Sequence, residues 1–236
     1  MSNRVAAIFG AGPGNGAAFA DKFLAEGYTV AVCSRNADAM NKLAESLGPP
    51  DKVRGYPCDV TSDAAVMLAF EAIKKDLGPV SAVVYNAGSG GFKPVEQWSA
   101  DEITKAADIN AAGLYRAAMA ALPHFESLGG GNIVVIGAGA ALRGRPMTVG
   151  FAAGKAAQRS VAQSLARAWG PKKIHVSYIV LDGIVMNDET KKFMPDKPDD
   201  FYLHSDAIAE AVWTLVNQKE SAWTFELDVR PFGETW

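Results

Sequence analysis

The sequence predicts an α/β fold: a doubly wound parallel sheet with helices on both faces, three layers in a single domain. Three observations carry this. Short apolar runs alternate with helical patterns along the whole chain. The apolar runs are continuous, as in strands buried on both faces, rather than alternating apolar with polar. The first run, residues 5–9, feeds the glycine-dense turn Gly10-Ala11-Gly12-Pro13-Gly14-Asn15-Gly16, and Phe19, Phe23 and Leu24 then mark one stripe of a helix. Strand, glycine turn and helix place an anion at a helix N-terminus, where backbone N–H groups and the helix dipole favour it; the same glycines also suit a purely structural turn.

The remaining elements follow in order. Residues 28–33 form a second strand ending at Ser34-Arg35-Asn36, and 37–47 a helix stopped by Gly48-Pro49-Pro50. A third strand over 53–58 ends at Asp59-Val60, with Thr61 or Ser62 capping a helix that runs to Leu77. Strand four, 80–85, ends at Asn86-Ala87-Gly88, and one long helix is expected over 101–126. Strand five covers 132–136, a helix 149–169, strand six 175–181, a helix 206–217 and a last strand 223–229. Ligands of such sheets sit beyond the C-terminal strand ends.

Composition narrows the function classes. The chain has 236 residues, 49% of them hydrophobic, enough for a sizeable core. Its net charge is −3 and no basic cluster suits nucleic acid or a membrane surface. Cys33 and Cys58 lie in apolar runs, as buried thiols of a reducing compartment. With no leader-like or membrane-spanning run, a soluble cytoplasmic protein is expected. His124, His175 and His204 lack ligand spacing, so no metal is expected, and His124 reads as a surface or interface residue. Tyr115 reads as packing.

The polar residues at the strand ends resemble those of the short-chain dehydrogenase/reductase family over essentially the whole chain. Gly10, Gly14 and Gly16 match its T-G-x-x-x-G-x-G turn, with Phe9 where Thr or Ser is usual and Asn15 where Ile is common. Asp59-Val60 matches the adenine-contacting pair, Asn86-Ala87-Gly88 the N-A-G strand end, Asn110 with Gly113 the N-x-x-G, and Lys155 the lysine of Y-x-x-x-K. The resemblance implies a single NAD(P)-binding domain of Rossmann type over residues 1–236, a small-molecule substrate, and a homodimer or homotetramer built through the helices 101–126 and 149–169. Gly183 and Val185, after strand six, complete the implied cofactor set.

Two positions depart from the family pattern. The tyrosine of Y-x-x-x-K falls on Phe151, and the serine 13 residues before it on Ala138. In usual members serine orients the carbonyl and tyrosine donates the proton; lysine lowers the tyrosine pKa and holds the ribose, and asparagine anchors a water relay. Neither Phe nor Ala can fill the missing roles. Of the groups nearby, Arg143 and Arg145 either clamp an anion or are solvated loop or subunit-contact residues, with Thr148 beside them. Asp182 is either an acid or an acceptor of backbone hydrogen bonds in its turn, and Asn187 takes a position that contacts the carboxamide. Ser34-Arg35 supplies no carboxylate against a 2′-phosphate and one guanidinium to bind it, which points to NADP. Two functions are then open: an atypical NADP(H)-dependent oxidoreductase using Asn110 and Lys155, or a non-catalytic NADP(H)-binding protein.

Overall fold

The structure, a computed structural model, describes residues 4–233; the ends of the expected domain, 1–3 and 234–236, lie outside the described residues. Strands β1 (Val5–Phe9), β2 (Thr29–Ser34), β3 (Val53–Pro57), β4 (Val80–Tyr85), β5 (Gly131–Ile136), β6 (Ile174–Leu181) and β9 (Glu226–Val229) form one sheet. Its order is β3-β2-β1-β4-β5-β6-β9 and every pairing is parallel. A two-residue pair, β7 (Ile184–Val185) with β8 (Tyr202–Leu203), sits apart from it. The chain starts in the middle of the sheet, winds outward through β2 and β3, then returns to β4. The two halves diverge between β1 and β4, and a crevice opens there at the strand ends.

Helices α1 (Asn15–Ala25), α2 (Ala37–Leu47) and α8 (Ser205–Val216) cover one face, burying Phe19, Phe23, Met40 and Ile208 against Ile8, Val32 and Val84. Helices α3 (Asp63–Asp76), α5 (Gly113–Leu128) and α6 (Val149–Trp169) cover the other, with Phe70, Leu114, Phe125 and Trp169 against Phe9, Tyr85 and Tyr178. Strand β6 is buried along all eight residues, its two polar members His175 and Ser177 included. The short helices α4 (Ala100–Ala107) and α7 (Asp188–Phe193) lie before the Asn110 region and after β7. No helix among the described residues is long and apolar enough to cross a membrane.

Four expectations need correction. The single helix over 101–126 is broken: α4 ends at Ala107, Asp108–Ala112 forms one π turn, and α5 begins at Gly113. Asn110 is a poor helix former, and its side-chain amide takes a carbonyl of the preceding turn. His124 is buried, with its Nδ1 accepting from Val80 N–H at 3.0 Å and its ring edge-on to Phe70. Burial also lowers its pKa. Tyr115 is 52% exposed instead of packed inside. The last strand starts at Glu226, because Trp223 leaves the sheet to stack on His175 at 4.8 Å.

The π turn is held from beneath. Tyr85 Oη donates to Ile109 O at 2.6 Å, and Gly113 leaves room for that hydroxyl where any side chain would collide with it. We expect Tyr85→Phe to cost about 1–2 kcal/mol in urea unfolding, since Ile109 O then loses the hydroxyl that donates to it. An unchanged midpoint would mean that other contacts hold the turn.

Candidate functional site

The polar residues singled out in the sequence gather at the C-terminal edge of the sheet. Gly10 has φ +78° and its Cα lies against the backbone of Asn86 and Ala87, so a side chain there would strike that backbone. Asn86 Nδ2 donates to Gly10 O at 2.8 Å, locking the end of β4 to the end of β1. Gly14, at φ +96°, precedes α1, with Ser205 Oγ 3.8 Å from where its Cβ would stand, while Gly12 has open space in front of it. Asn15 starts that helix and its Oδ1 accepts from Ser205 Oγ at 2.8 Å. Gly16 turns its Cα to the backbone of Ala11.

Two cavities follow from this arrangement. The first, about 360 Å³, is lined by Gly10, Ser34, Arg35, Asp59, Val60 and Ala87. Arg35 is exposed at the end of β2, where Ser34-Arg35-Asn36 itself carries no carboxylate, and Asp59 from the end of β3 lines the same cavity. Asp59 Oδ1 accepts from Thr61 N–H at 3.0 Å and Thr61 Oγ1 at 2.8 Å, and these hydrogen bonds lower its pKa. Burial pushes the Cys58 thiol up to about 11, so it stays protonated at neutral pH. The second cavity, about 400 Å³, is bordered by Ala138, Phe151, Lys155, Asp182, Gly183 and Val185. Asn86 and Gly88 line both, so the two form one continuous groove across the β1–β4 crevice.

Beneath Gly88 lie Asn110 and Lys155. A methyl placed on Gly88 would be 3.3 Å from Asn110 Oδ1 and 3.5 Å from Lys155 Nζ, so both atoms border one small space. Asn110 Nδ2 donates to Ser89 O (2.7 Å) and Ala106 O (2.8 Å), while its Oδ1 is buried with no hydrogen-bond partner among the described residues. Lys155 Nζ donates to Ile136 O (2.8 Å) and Gln158 Oε1 (3.1 Å). Among the described residues no carboxylate pairs with it, and desolvation lowers its pKa to about 7. Gln158 was not foreseen; its place one turn after Lys155 on α6 was the available signal.

The far wall differs from expectation in several places. Asp182 does not accept backbone hydrogen bonds in its turn: Arg143 Nη2 donates to both its oxygens at 2.8 Å, and Arg230 Nη1 lies 2.6 Å from Oδ2. Arg143 is thus ion-paired while its side chain stays 44% exposed to solvent. Asn187 borders the cleft, but its Oδ1 caps α7, accepting from Glu189 and Thr190 N–H at 2.9 Å. Thr148 is buried and bonded to the Arg145 backbone. Ala138 offers no hydroxyl, and the Phe151 side chain packs against Gly90, where an added Cβ would collide with it. Phe92, also unforeseen, stands 71% exposed with its ring 6.2 Å from that of Phe151.

The buried lysine has a measurable consequence for stability. Its folded pKa is about 7 against 10.5 in the unfolded chain, so between these values the unfolded state holds more protons and stability climbs with pH. Below pH 7 both states carry the charge and the burial cost stays constant. Relative to Lys155→Met, the unmodified protein should therefore gain roughly 1 kcal/mol per pH unit from pH 7 to 9. Parallel stability curves for the two proteins would contradict this.

Comparison with known proteins places this groove in context. Residues 4–197 match the short chain dehydrogenase family. The chain is 33% identical over 193 residues to the 7alpha-hydroxysteroid dehydrogenase of Escherichia coli, covering 81% of this chain and 74% of that one. Among solved structures it resembles the alcohol dehydrogenase of the archaeon Thermococcus sibiricus complexed with 5-hydroxy-NADP, with a TM-score of 0.86 and 28% identity over 99% of each chain. It resembles equally the 3-ketoacyl-(acyl-carrier-protein) reductase of Brucella melitensis complexed with NADH, with a TM-score of 0.87 and 29% identity over 97% of each. The family match and the shared overall fold agree, and the chain belongs to the short chain dehydrogenase family of oxidoreductases.

Proposed function

We propose that the chain is an NADP(H)-dependent oxidoreductase of small carbonyl or hydroxyl compounds, working without the family's serine and tyrosine hydroxyls. The observation that carries this reading is the buried pair beneath the groove. Asn110 Oδ1 has no partner among the described residues and Lys155 has no counter-charge. Each is costly, about 1–3 kcal/mol for the orphaned acceptor alone, and such costs concentrate where a ligand or a proton is handled. A protein that only held the dinucleotide would use Lys155 at the ribose but would have little use for the Asn110 acceptor.

The residues present fit the cofactor. The Gly10–Gly16 turn leaves backbone N–H groups and open space at the start of α1, which suits a diphosphate. Asp59, Val60, Ala87 and Gly88 would border the adenosine half, with Ser34 and Arg35 at the 2′-phosphate. Lys155 and Asn86 would border the nicotinamide riboside, with Gly183 and Val185 across the cleft. Bound NADPH supplies a hydride. Asn110 Oδ1 would accept a hydrogen bond from a water in the space above it, and Phe92 with Phe151 gives the substrate end one apolar wall. Among the groups bordering the cleft, the arginines do not release a proton near neutral pH and Asp182 is engaged by two guanidinium groups. Lys155 remains as the side chain able to exchange one.

Phe151 and Ala138 favour the second reading, a non-catalytic NADP(H)-binding protein, because general acid catalysis is worth about 10² to 10⁴ in rate. Association of two copies through α5 and α6 is supported by the exposed Tyr115 and Met119 on α5.

Two experiments test these readings. NADPH should bind more tightly than NADH by about 10- to 100-fold, the worth of a charge-assisted hydrogen bond, and Arg35→Ala should remove most of that difference. Equal titration curves on the unmodified protein would refute the NADP assignment. The double variant Ala138→Ser with Phe151→Tyr should gain NADPH-dependent reduction of activated diketones, and more than either single variant, since both hydroxyls act on one oxygen. No gain with NADPH still bound would put the non-catalytic reading ahead.

A further inference from the structure

The substrate end of the groove carries an imbalance of charge. Among the residues bordering it, Asp182 is the single carboxylate, against Arg143, Arg145 and Lys155. Arg143 and Arg230 both pair with Asp182, and Arg230 pairs also with Asp228 at 2.8 Å, so these four charges cancel as a group. Arg145 stands outside that group, and its guanidinium has no ion pair or hydrogen bond among the described residues.

The Arg145 backbone is nonetheless held in place. Its N–H donates to Thr148 Oγ1 at 3.0 Å, and its carbonyl accepts from Thr148 N–H at 3.0 Å and from Thr148 Oγ1 at 3.2 Å. Thr148 is itself buried, so the turn is anchored to the core. The same turn sets the aromatic wall: Lys93 N–H donates to Met147 O at 3.0 Å, which fixes the strand of chain carrying Phe92 beside it. An exposed phenylalanine facing a second ring across a cleft is unfavourable in water and suits an apolar ligand body. One turn therefore positions an uncommitted guanidinium and an open aromatic surface together at the cleft rim.

We propose that the substrate is a small organic anion, its carboxylate or phosphate paired by Arg145 and its apolar body set against Phe92 and Phe151. A guanidinium offers two parallel N–H donors to either oxyanion, so both sources share this chemistry. The proposal rests on the oxidoreductase reading above, because it takes this cleft as the substrate end of that site.

The test uses NADP⁺-saturated protein and three probes that share a phenyl ring: benzoylformate, its neutral methyl ester, and phenyl phosphate, measured by calorimetry. Benzoylformate should bind at least about tenfold more tightly than the ester, as expected for a charge-assisted pair. Arg145→Ala should abolish that preference, and Arg145→Lys should keep a smaller part of it, while NADP⁺ binding stays unchanged in both. Phenyl phosphate tells the two sources apart: tighter binding than benzoylformate assigns a phosphate, weaker binding a carboxylate. Equal binding of benzoylformate and its ester, or a preference that survives Arg145→Ala, would overturn the proposal. Failure of the unmodified protein to bind NADP⁺ at all would instead overturn the oxidoreductase reading, so the two failures are distinct.

Discussion

The meeting of three strand ends at Gly10 governs the rest of the structure. Gly10 N–H donates to Cys33 O at 2.9 Å, Asn86 N–H to Phe9 O at 2.9 Å, and Asn86 Nδ2 to Gly10 O at 2.8 Å. These bonds draw β2, β1 and β4 together where the topology parts them, and only a residue without a side chain fits at that approach. From this junction the groove extends both ways, towards Arg35 on one side and towards Lys155 on the other. Buried apolar strands on either side keep the junction rigid, so loops beyond the strand ends can vary in chemistry without loss of the frame.

Rigidity there lets the molecule keep groups that a loose fold would expel. Lys155 is nearly inaccessible, held by two neutral acceptors, while Asn110 keeps an acceptor without a donor. The π turn is what aims Asn110 at Gly88, because it breaks helical phasing between α4 and α5 at that residue. Tyr85, from the central sheet, props that turn. Thus the sheet core, the helix irregularity and the polar pair form one chain of dependence.

Much of this was legible before any coordinates. The continuous apolar runs at 5–9, 28–33 and 80–85 identify buried parallel strands, and the residues at their ends, Gly10, Arg35 and Asn86, do line the groove. What stayed hidden depended on contacts distant in sequence. Asn110 reads as one more residue of a long helix, and its poor helix propensity was the only local hint of the π turn. His124 looks polar and peripheral, yet it satisfies the Val80 N–H from 44 residues away. Asp182 resembles an ordinary turn residue until Arg143 and Arg230 arrive from two other segments. Phe92 carried no periodic signal at all, since its meaning comes from facing Phe151.

The central claim, that this groove holds NADP(H) with the nicotinamide towards Lys155, is tested most directly by a crystal structure of the protein grown with NADPH. The account predicts density along the whole groove, the 2′-phosphate within about 3 Å of the Arg35 guanidinium and the nicotinamide ring between Val185 and Lys155. Density for NADPH outside the crevice between β1 and β4, or with its nicotinamide at Arg35, would contradict it.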